Sequence, residues 1–87
     1  MCTYQTMSIA LRGSAKGPGD WFRATSASVY YDHPVHALAD HTLNIDLLNS
    51  GMGSSARVAI ELNPGSARAL AEAITAALDA VPDRLYS

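Results

Sequence analysis

Hydrophobic and polar residues alternate in three segments of the chain, which is the period-two pattern of half-buried β-strands. The segments are Tyr4–Arg12, Thr42–Leu48 and Ala56–Leu62. A fourth segment, Trp21–Tyr31, is rich in Thr, Val and aromatic residues that favour strands, but its alternation is poor. We therefore predict four strands, of which the second has either a bulge or two covered faces.

The last part of the chain changes to a helical pattern. Asn63 is a good N-cap, and Pro64 suits the first helical position, where no N–H is needed. Apolar residues then recur at spacings of three and four up to Pro82, which ends the helix. The resulting stripe consists of Ala67, Leu70, Ala71, Ile74, Ala77, Leu78 and Val81. Because few of these residues are large, the stripe needs a flat apolar partner such as a sheet.

The connections between the predicted strands are short and glycine-rich, at Gly13–Gly19 and Asn49–Ser55. Neither has room for the crossover helix that parallel neighbours require, so the strands are expected to be antiparallel. The expected fold belongs to the α+β class. It is a four-stranded antiparallel β-meander packed on one C-terminal helix (ββββα), with residues 1–87 as a single domain.

The composition excludes several classes of protein. Of the 87 residues, 48% are hydrophobic and 16% are charged, which is too apolar for a disordered tail. The six basic residues are scattered, so no nucleic-acid partner is expected. No segment is apolar enough for a transmembrane helix, and the first residues lack a signal-peptide pattern. The single cysteine, Cys2, suits a reducing compartment, and we expect a cytoplasmic protein with no membrane partner.

One helix can cover only one face of the predicted sheet. The other face carries small or polar residues, namely Thr6, Ser8, Ala10, Thr42, Asn44, Asp46, Arg57, Ala59 and Glu61. A chain of this size buries only about 60% of its unfolded surface, which leaves it marginally stable alone. We therefore predict a homo-oligomer, in the simplest case a homodimer, that pairs through this second face or through a sheet edge.

All three histidines lie in one nine-residue window between the second and third strands, at His33, His36 and His41. Pro34 biases His33 toward extended backbone, and three residues per polyproline turn would place His36 on the same side. His41 shares the parity of Leu43 at the start of the third strand. Three converging imidazoles would leave an open coordination position. The sequence thus predicts binding of a divalent transition metal, zinc or iron, by these histidines.

Two aspartates flank the histidines. Asp32 or Asp40 could orient an imidazole or replace one, and two histidines with a carboxylate are the ligands of non-haem iron. A metal-free alternative is a His–Asp general base, with Tyr30 or Tyr31 donating to an oxyanion. The spacing matches no strong signature, and each histidine could equally be a turn, solvated or strand-end residue. Whether the protein is an enzyme stays open, and its catalytic residues are unknown.

Two further functions remain open at this point. The protein could be a non-catalytic accessory or assembly subunit whose histidine-rich connection contacts a protein partner. It could also be a small-ligand binding domain with Trp21, Tyr30 and Tyr31 in a pocket at the loop end of the sheet.

Three stretches taken together resemble a known family. They are Met1–Tyr4, Val29–His36 and His41–Asp46. The sequence resembles a family of small uncharacterised actinobacterial proteins of unknown function, over nearly the whole chain. Because that family has no established activity, the resemblance implies no catalytic residue.

Overall fold

The computed structural model describes residues 5–32 and 41–82. Within them the chain forms β1 (Met7–Lys16), β2 (Trp21–Asp32), β3 (Thr42–Leu48), a 3-10 turn (Ser50–Met52), β4 (Arg57–Leu62) and α1 (Pro64–Asp79). The strands pair antiparallel in the order β1-β2-β3-β4. This confirms the predicted four-stranded meander followed by one C-terminal helix.

The β1–β2 hairpin is longer than its sequence predicts. Gly13–Lys16 was expected to be loop, but the strand continues through it because Lys16 still pairs with Trp21. The turn that follows is tight, and the Gly17 N–H donates to the Asp20 carbonyl at 3.0 Å. Backbone pairing across the hairpin therefore outweighs the weak strand preference of glycine.

A β-bulge interrupts this hairpin. The register shifts between Ala10 and Gly13, so that two β1 residues, Leu11 and Arg12, lie opposite one β2 residue, Thr25. The irregularity expected from the poor alternation of the second strand is present, but the extra residue belongs to β1. A bulge bends the strand, increases its twist and redirects the neighbouring side chains.

The strand register gives the sheet two different faces. We call one the apolar face; it carries Met7, Ile9, Ala27, Val29, Tyr31, Leu43, Ile45, Leu47, Val58, Ile60 and Leu62. We call the other the polar face; it carries Ser8, Ser26, Ser28, Tyr30, Asn44, Asp46, Arg57, Ala59 and Glu61. This division follows the alternation of the sequence.

A small core lies near the turn of the β1–β2 hairpin. Its buried members are Ala15, Phe22, Ala24 and Ala56, and Leu11, Leu47 and Val58 pack against them. Gly17 allows the turn to lie close to the start of β4, because a Cβ there would be 3.2 Å from the Ser55 carbonyl oxygen and 3.3 Å from the Phe22 ring. Away from this core, Met7 and Ile9 on the apolar face are 53% and 54% exposed.

The helix begins as predicted. Asn63 is its N-cap, and its side-chain oxygen accepts a hydrogen bond from the Ser66 N–H at 2.7 Å. The extent of packing differs from the prediction, because the helix contacts the sheet at β3 and β4 and contains no buried residue. Ile74 and Leu78 remain 53% and 50% exposed. A one-residue connection from β4 gives the helix little freedom to lie across its own sheet.

The chain is more open than a compact domain of its size. Its radius of gyration is 14.6 Å, whereas about 12 Å is expected for 87 residues. Its accessible surface is 6711 Å², against about 4,900 Å² for a compact monomer of this mass. In the part of the chain that the structure describes, no helix combines the length and the apolar character needed to cross a membrane.

Candidate functional site

The predicted metal site lies partly outside the described residues. His33, His36 and Asp40 belong to residues 33–40, which are not among those described. The convergence of three imidazoles therefore remains a prediction. Of the three histidines, only His41 can be placed.

His41 stacks on Tyr31 where β2 ends and β3 begins. The ring centroids are 5.6 Å apart, and the ring planes differ by 15°. Tyr31 lies opposite Leu43 in the sheet, so the contact places the imidazole of His41 on the apolar face. This agrees with the parity argument from the sequence. An aromatic neighbour restricts the orientation of the imidazole.

Asp32 does not share this face. It lies opposite Thr42 in the β2–β3 register, and its side chain therefore belongs to the polar face. By strand parity, Asp32 and His41 thus start from opposite faces of the sheet. Within residues 5–32 and 41–82, no group of three or more His, Cys, Asp or Glu side chains could hold a metal ion.

The structure separates the residues of the predicted ligand pocket. Trp21 begins β2, whereas Tyr30 and Tyr31 lie near its other end. Nine residues of extended strand span about 30 Å. In addition, Tyr30 and Tyr31 point to opposite faces of the sheet. The three aromatic side chains therefore do not line one pocket.

Tyr30 belongs instead to a polar network. Its hydroxyl donates to Asp46 Oδ2 at 3.2 Å, and Arg57 Nη2 donates to Asp46 Oδ1 at 2.8 Å. Burial raises the pKa of Tyr30 above its usual 10.0, and the charge and hydrogen bond of Asp46 raise it further. The phenol therefore stays protonated and acts as a hydrogen-bond donor, with no access to a phenolate near neutral pH.

A second polar pair lies on the same side of the sheet. Thr42 and Asn44 are only 1% and 5% exposed, and the Thr42 hydroxyl donates to Asn44 Oδ1 at 2.7 Å. Among the described residues, every buried side-chain nitrogen or oxygen has a hydrogen-bond partner. The buried groups of the polar face are thus satisfied within the chain, as is usual for buried polar groups.

A cleft that the sequence did not predict lies at the β1–β2 bulge. The cavity has a volume of about 620 Å³ and is lined by Leu11, Arg12, Gly13, Ser14, Trp21, Phe22, Arg23 and Thr25. Both charged groups in this lining are guanidinium groups. Among the described residues, Arg57 forms an ion pair with Asp46, whereas Arg12 and Arg23 form no salt bridge. The Trp21 side chain beside them is 62% exposed.

Hairpin geometry was the signal that could have identified this cleft. In an antiparallel hairpin, paired positions have a constant sum of residue numbers, and Lys16 pairs with Trp21 while Ser14 pairs with Arg23. Arg12 follows on the same strand, which brings it near Arg23 across the hairpin. Arg12 and Arg23 are eleven residues apart in the sequence, so a search for runs of basic residues does not find them.

Comparison with protein-family models gave a match over residues 1–87, to a family of unknown function, DUF6295. Comparison with curated proteins gave no match, and comparison with solved structures gave none. The match extends over the full chain, as the resemblance noted from its three stretches suggested, although it does not show the taxon. The chain is therefore a member of DUF6295, a family of unknown function.

Proposed function

We propose that this chain is a cytoplasmic, non-catalytic assembly protein that associates with a second copy of itself through its apolar face and the stripe of α1. The observation that carries this proposal is the exposure of two apolar surfaces on one chain. Ile9 on the sheet is 54% exposed, and Ile74 on the helix is 53% exposed. Large contiguous apolar surfaces on a monomer mark interaction sites.

The two surfaces fit each other in shape and chemistry. The helix stripe mixes alanines with Leu70, Ile74 and Leu78, so it can approach a flat surface closely. The apolar face offers branched side chains on strands about 4.8 Å apart. A helix of 16 residues is about 24 Å long, which is enough to cross four strands. Each surface is therefore the kind of partner that the other requires.

A two-fold dimer would satisfy both surfaces at once. In an isologous interface each contact occurs twice, so α1 of each copy would lie on the apolar face of the other. Two such contacts would bury apolar area from both surfaces of each chain. An obligate homodimer buries on the order of 1,000–2,500 Å² per partner.

Cross-linking of two single-cysteine variants tests the proposal. In a Cys2→Ser background, Ile9→Cys and Ile74→Cys chains of different mass are mixed, allowed to exchange, and treated with a short bismaleimide. Because each chain carries a single cysteine, a link between β1 and α1 joins two different chains. We expect a mixed covalent dimer, and sedimentation equilibrium should give twice the chain mass.

The matched control replaces Ile74→Cys with Ala76→Cys, which lies on the opposite side of the helix. This pair should give little mixed dimer. A protein that sediments as a monomer at high micromolar concentration contradicts the proposal. A dimer that links Ala76→Cys as readily as Ile74→Cys contradicts the proposed surface.

A second candidate function is binding of a divalent transition metal by His33, His36 and His41. The stacking of His41 on Tyr31 favours it, because a ligand imidazole held in one orientation loses less freedom on coordination. Metal analysis of the purified protein, with His36→Ala and His41→Ala as variants, tests it. We expect one zinc or iron ion per chain, and we expect both variants to lose it. A trace of metal that neither substitution changes would exclude it.

A further inference from the structure

We propose that the cleft at the β1–β2 bulge binds a small organic anion that carries a planar ring. Its lining residues are not among those named for the apolar face or the α1 stripe, and they include no histidine. Its volume of about 620 Å³ lies in the range of roughly 300–1,000 Å³ that is usual for small-molecule sites.

The bulge builds the cleft. The three residues of the irregular register, Leu11, Arg12 and Thr25, all line the cavity. An extra residue in one strand turns its side chain away from the regular alternation, and such bulges recur beside binding sites. Without the bulge, Arg12 would follow the regular alternation of β1, and its side chain would point in a different direction.

The positive charges of the lining favour a negatively charged ligand. Arg12 and Arg23 line one cavity, and neither forms a salt bridge with a described residue. Two like charges at one site repel each other, and an anion between them would remove this repulsion. Guanidinium groups bind carboxylate and phosphate oxygens with two parallel hydrogen bonds, so either anion suits them.

The remaining lining selects the body of the ligand. The exposed indole of Trp21 gives a flat surface on which a ring can stack. The Thr25 hydroxyl donates to the Leu48 carbonyl at 3.3 Å, so its proton is already engaged. The two arginines and the indole are donors only, and the Ser14 hydroxyl can donate as well. This lining favours an anionic group attached to a planar ring over a neutral polar ligand.

The single tryptophan of the chain makes this proposal directly measurable. Adenosine 5′-monophosphate and 2-naphthoate serve as ligands that combine a planar ring with a phosphate or a carboxylate. Adenosine and 2-naphthamide are their neutral counterparts. We expect saturable quenching of Trp21 fluorescence by at least one of the anions, and binding at least tenfold weaker for its neutral counterpart. The affinity should fall as salt is added.

Arg12→Gln and Arg23→Gln are the test variants, and Arg68→Gln on the helix is the matched control. Each test variant should weaken binding about tenfold or more, because it removes charge-assisted hydrogen bonds to the anion. Arg68→Gln should leave the affinity unchanged, and circular dichroism should show that all three variants fold. Preference for one anion over the other identifies the ligand as a nucleotide or as an aryl carboxylate.

Several results would overturn the proposal. One is the absence of saturable quenching by both anions. Another is equal binding of the neutral counterparts, which would indicate adsorption to apolar surface. A third is an unchanged affinity in both Arg12→Gln and Arg23→Gln chains that are correctly folded.

Discussion

The two faces of the sheet differ in how far one chain completes them. On the polar face, Thr42 and Asn44 are buried and bonded to each other, and Asp46 joins Tyr30 to Arg57. On the apolar face, Ile9 is more than half exposed, although isoleucine is among the most frequently buried residues. The buried groups of the polar face are therefore satisfied within the chain, and pairing of a second copy on that face stays a prediction. The apolar face, which was expected to be covered by the helix, keeps large side chains exposed.

This difference shows that a polar composition does not by itself indicate an incomplete surface. Polar groups can be satisfied by neighbours two residues away or on the next strand, as the Thr42–Asn44 and Tyr30–Asp46 contacts show. A single neighbouring group cannot satisfy an apolar side chain in this way, because its stabilisation comes from removing surface area from water. An apolar face therefore needs a whole element above it, and the helix of the same chain does not supply one.

A charge introduced on β4 should have the largest effect, and that effect should depend on which face of the sheet carries it. Ile60→Glu should weaken the homodimer by at least about 100-fold, because an unpaired carboxylate would be buried at the interface. Its neighbour Ala59→Glu points to the polar face and should leave the dimer intact. Sedimentation equilibrium over a range of concentrations measures both. If Ala59→Glu is the variant that dissociates the dimer, the polar face is the interface after all.

A substitution in the buried polar pair should have a smaller effect. Asn44→Ala leaves the Thr42 hydroxyl buried without its acceptor, and the free energy of unfolding should fall by about 1–3 kcal/mol. Adding Thr42→Val to this variant removes the unsatisfied donor and should recover part of the loss. Denaturant unfolding of both single variants and of the double variant gives the coupling. Additive losses would mean that the two side chains do not act as a pair.

The ion pair on the polar face should contribute less. Asp46→Asn keeps the shape of the side chain but removes the charge that faces Arg57, whose side chain is 52% exposed. Solvent screening at such a site limits the expected loss of stability to roughly 1 kcal/mol or less. The same substitution should lower the pKa of Tyr30, although burial would still hold it above its usual value. An NMR titration of the Tyr30 ring measures this pKa. An unchanged pKa in Asp46→Asn would mean that Asp46 does not act on the Tyr30 phenol.

The smallest expected effect is on the alkaline side of the stability profile. Burial and Asp46 raise the pKa of Tyr30 in the folded chain above its usual 10.0, so the unfolded chain loses this proton first. Unfolding then releases a proton, and stability should fall as the pH rises from about 10 toward the folded pKa. Tyr30→Phe should lack this part of the decline. A profile identical to that of the unsubstituted chain would assign the decline to other groups.

Local patterns predicted the elements well. The bounds of β3 match the prediction, and Asn63 caps the helix as its position before Pro64 indicated. The parity of His41 with Leu43 also predicted its face correctly, as the stacking on Tyr31 shows. These features depend on residues a few positions apart, where backbone geometry alone decides the outcome.

The predicted aromatic pocket and the arginine cleft depend on distances that the sequence does not contain. Trp21 and Tyr30 were grouped by residue type, but the length of β2 separates them. Arg12 and Arg23 were counted as scattered, but hairpin pairing and one extra residue bring them to the same cleft.

The sequence by itself determined the order of elements, the two faces of the sheet and the capping of the helix, because periodicity and local hydrogen bonding act within short stretches. Only the tertiary structure decided that the helix leaves its stripe exposed and that two arginines share a cavity with the single tryptophan. The reason is physical. Alternation fixes which way a side chain points, but how much of it is covered depends on where distant elements end in space.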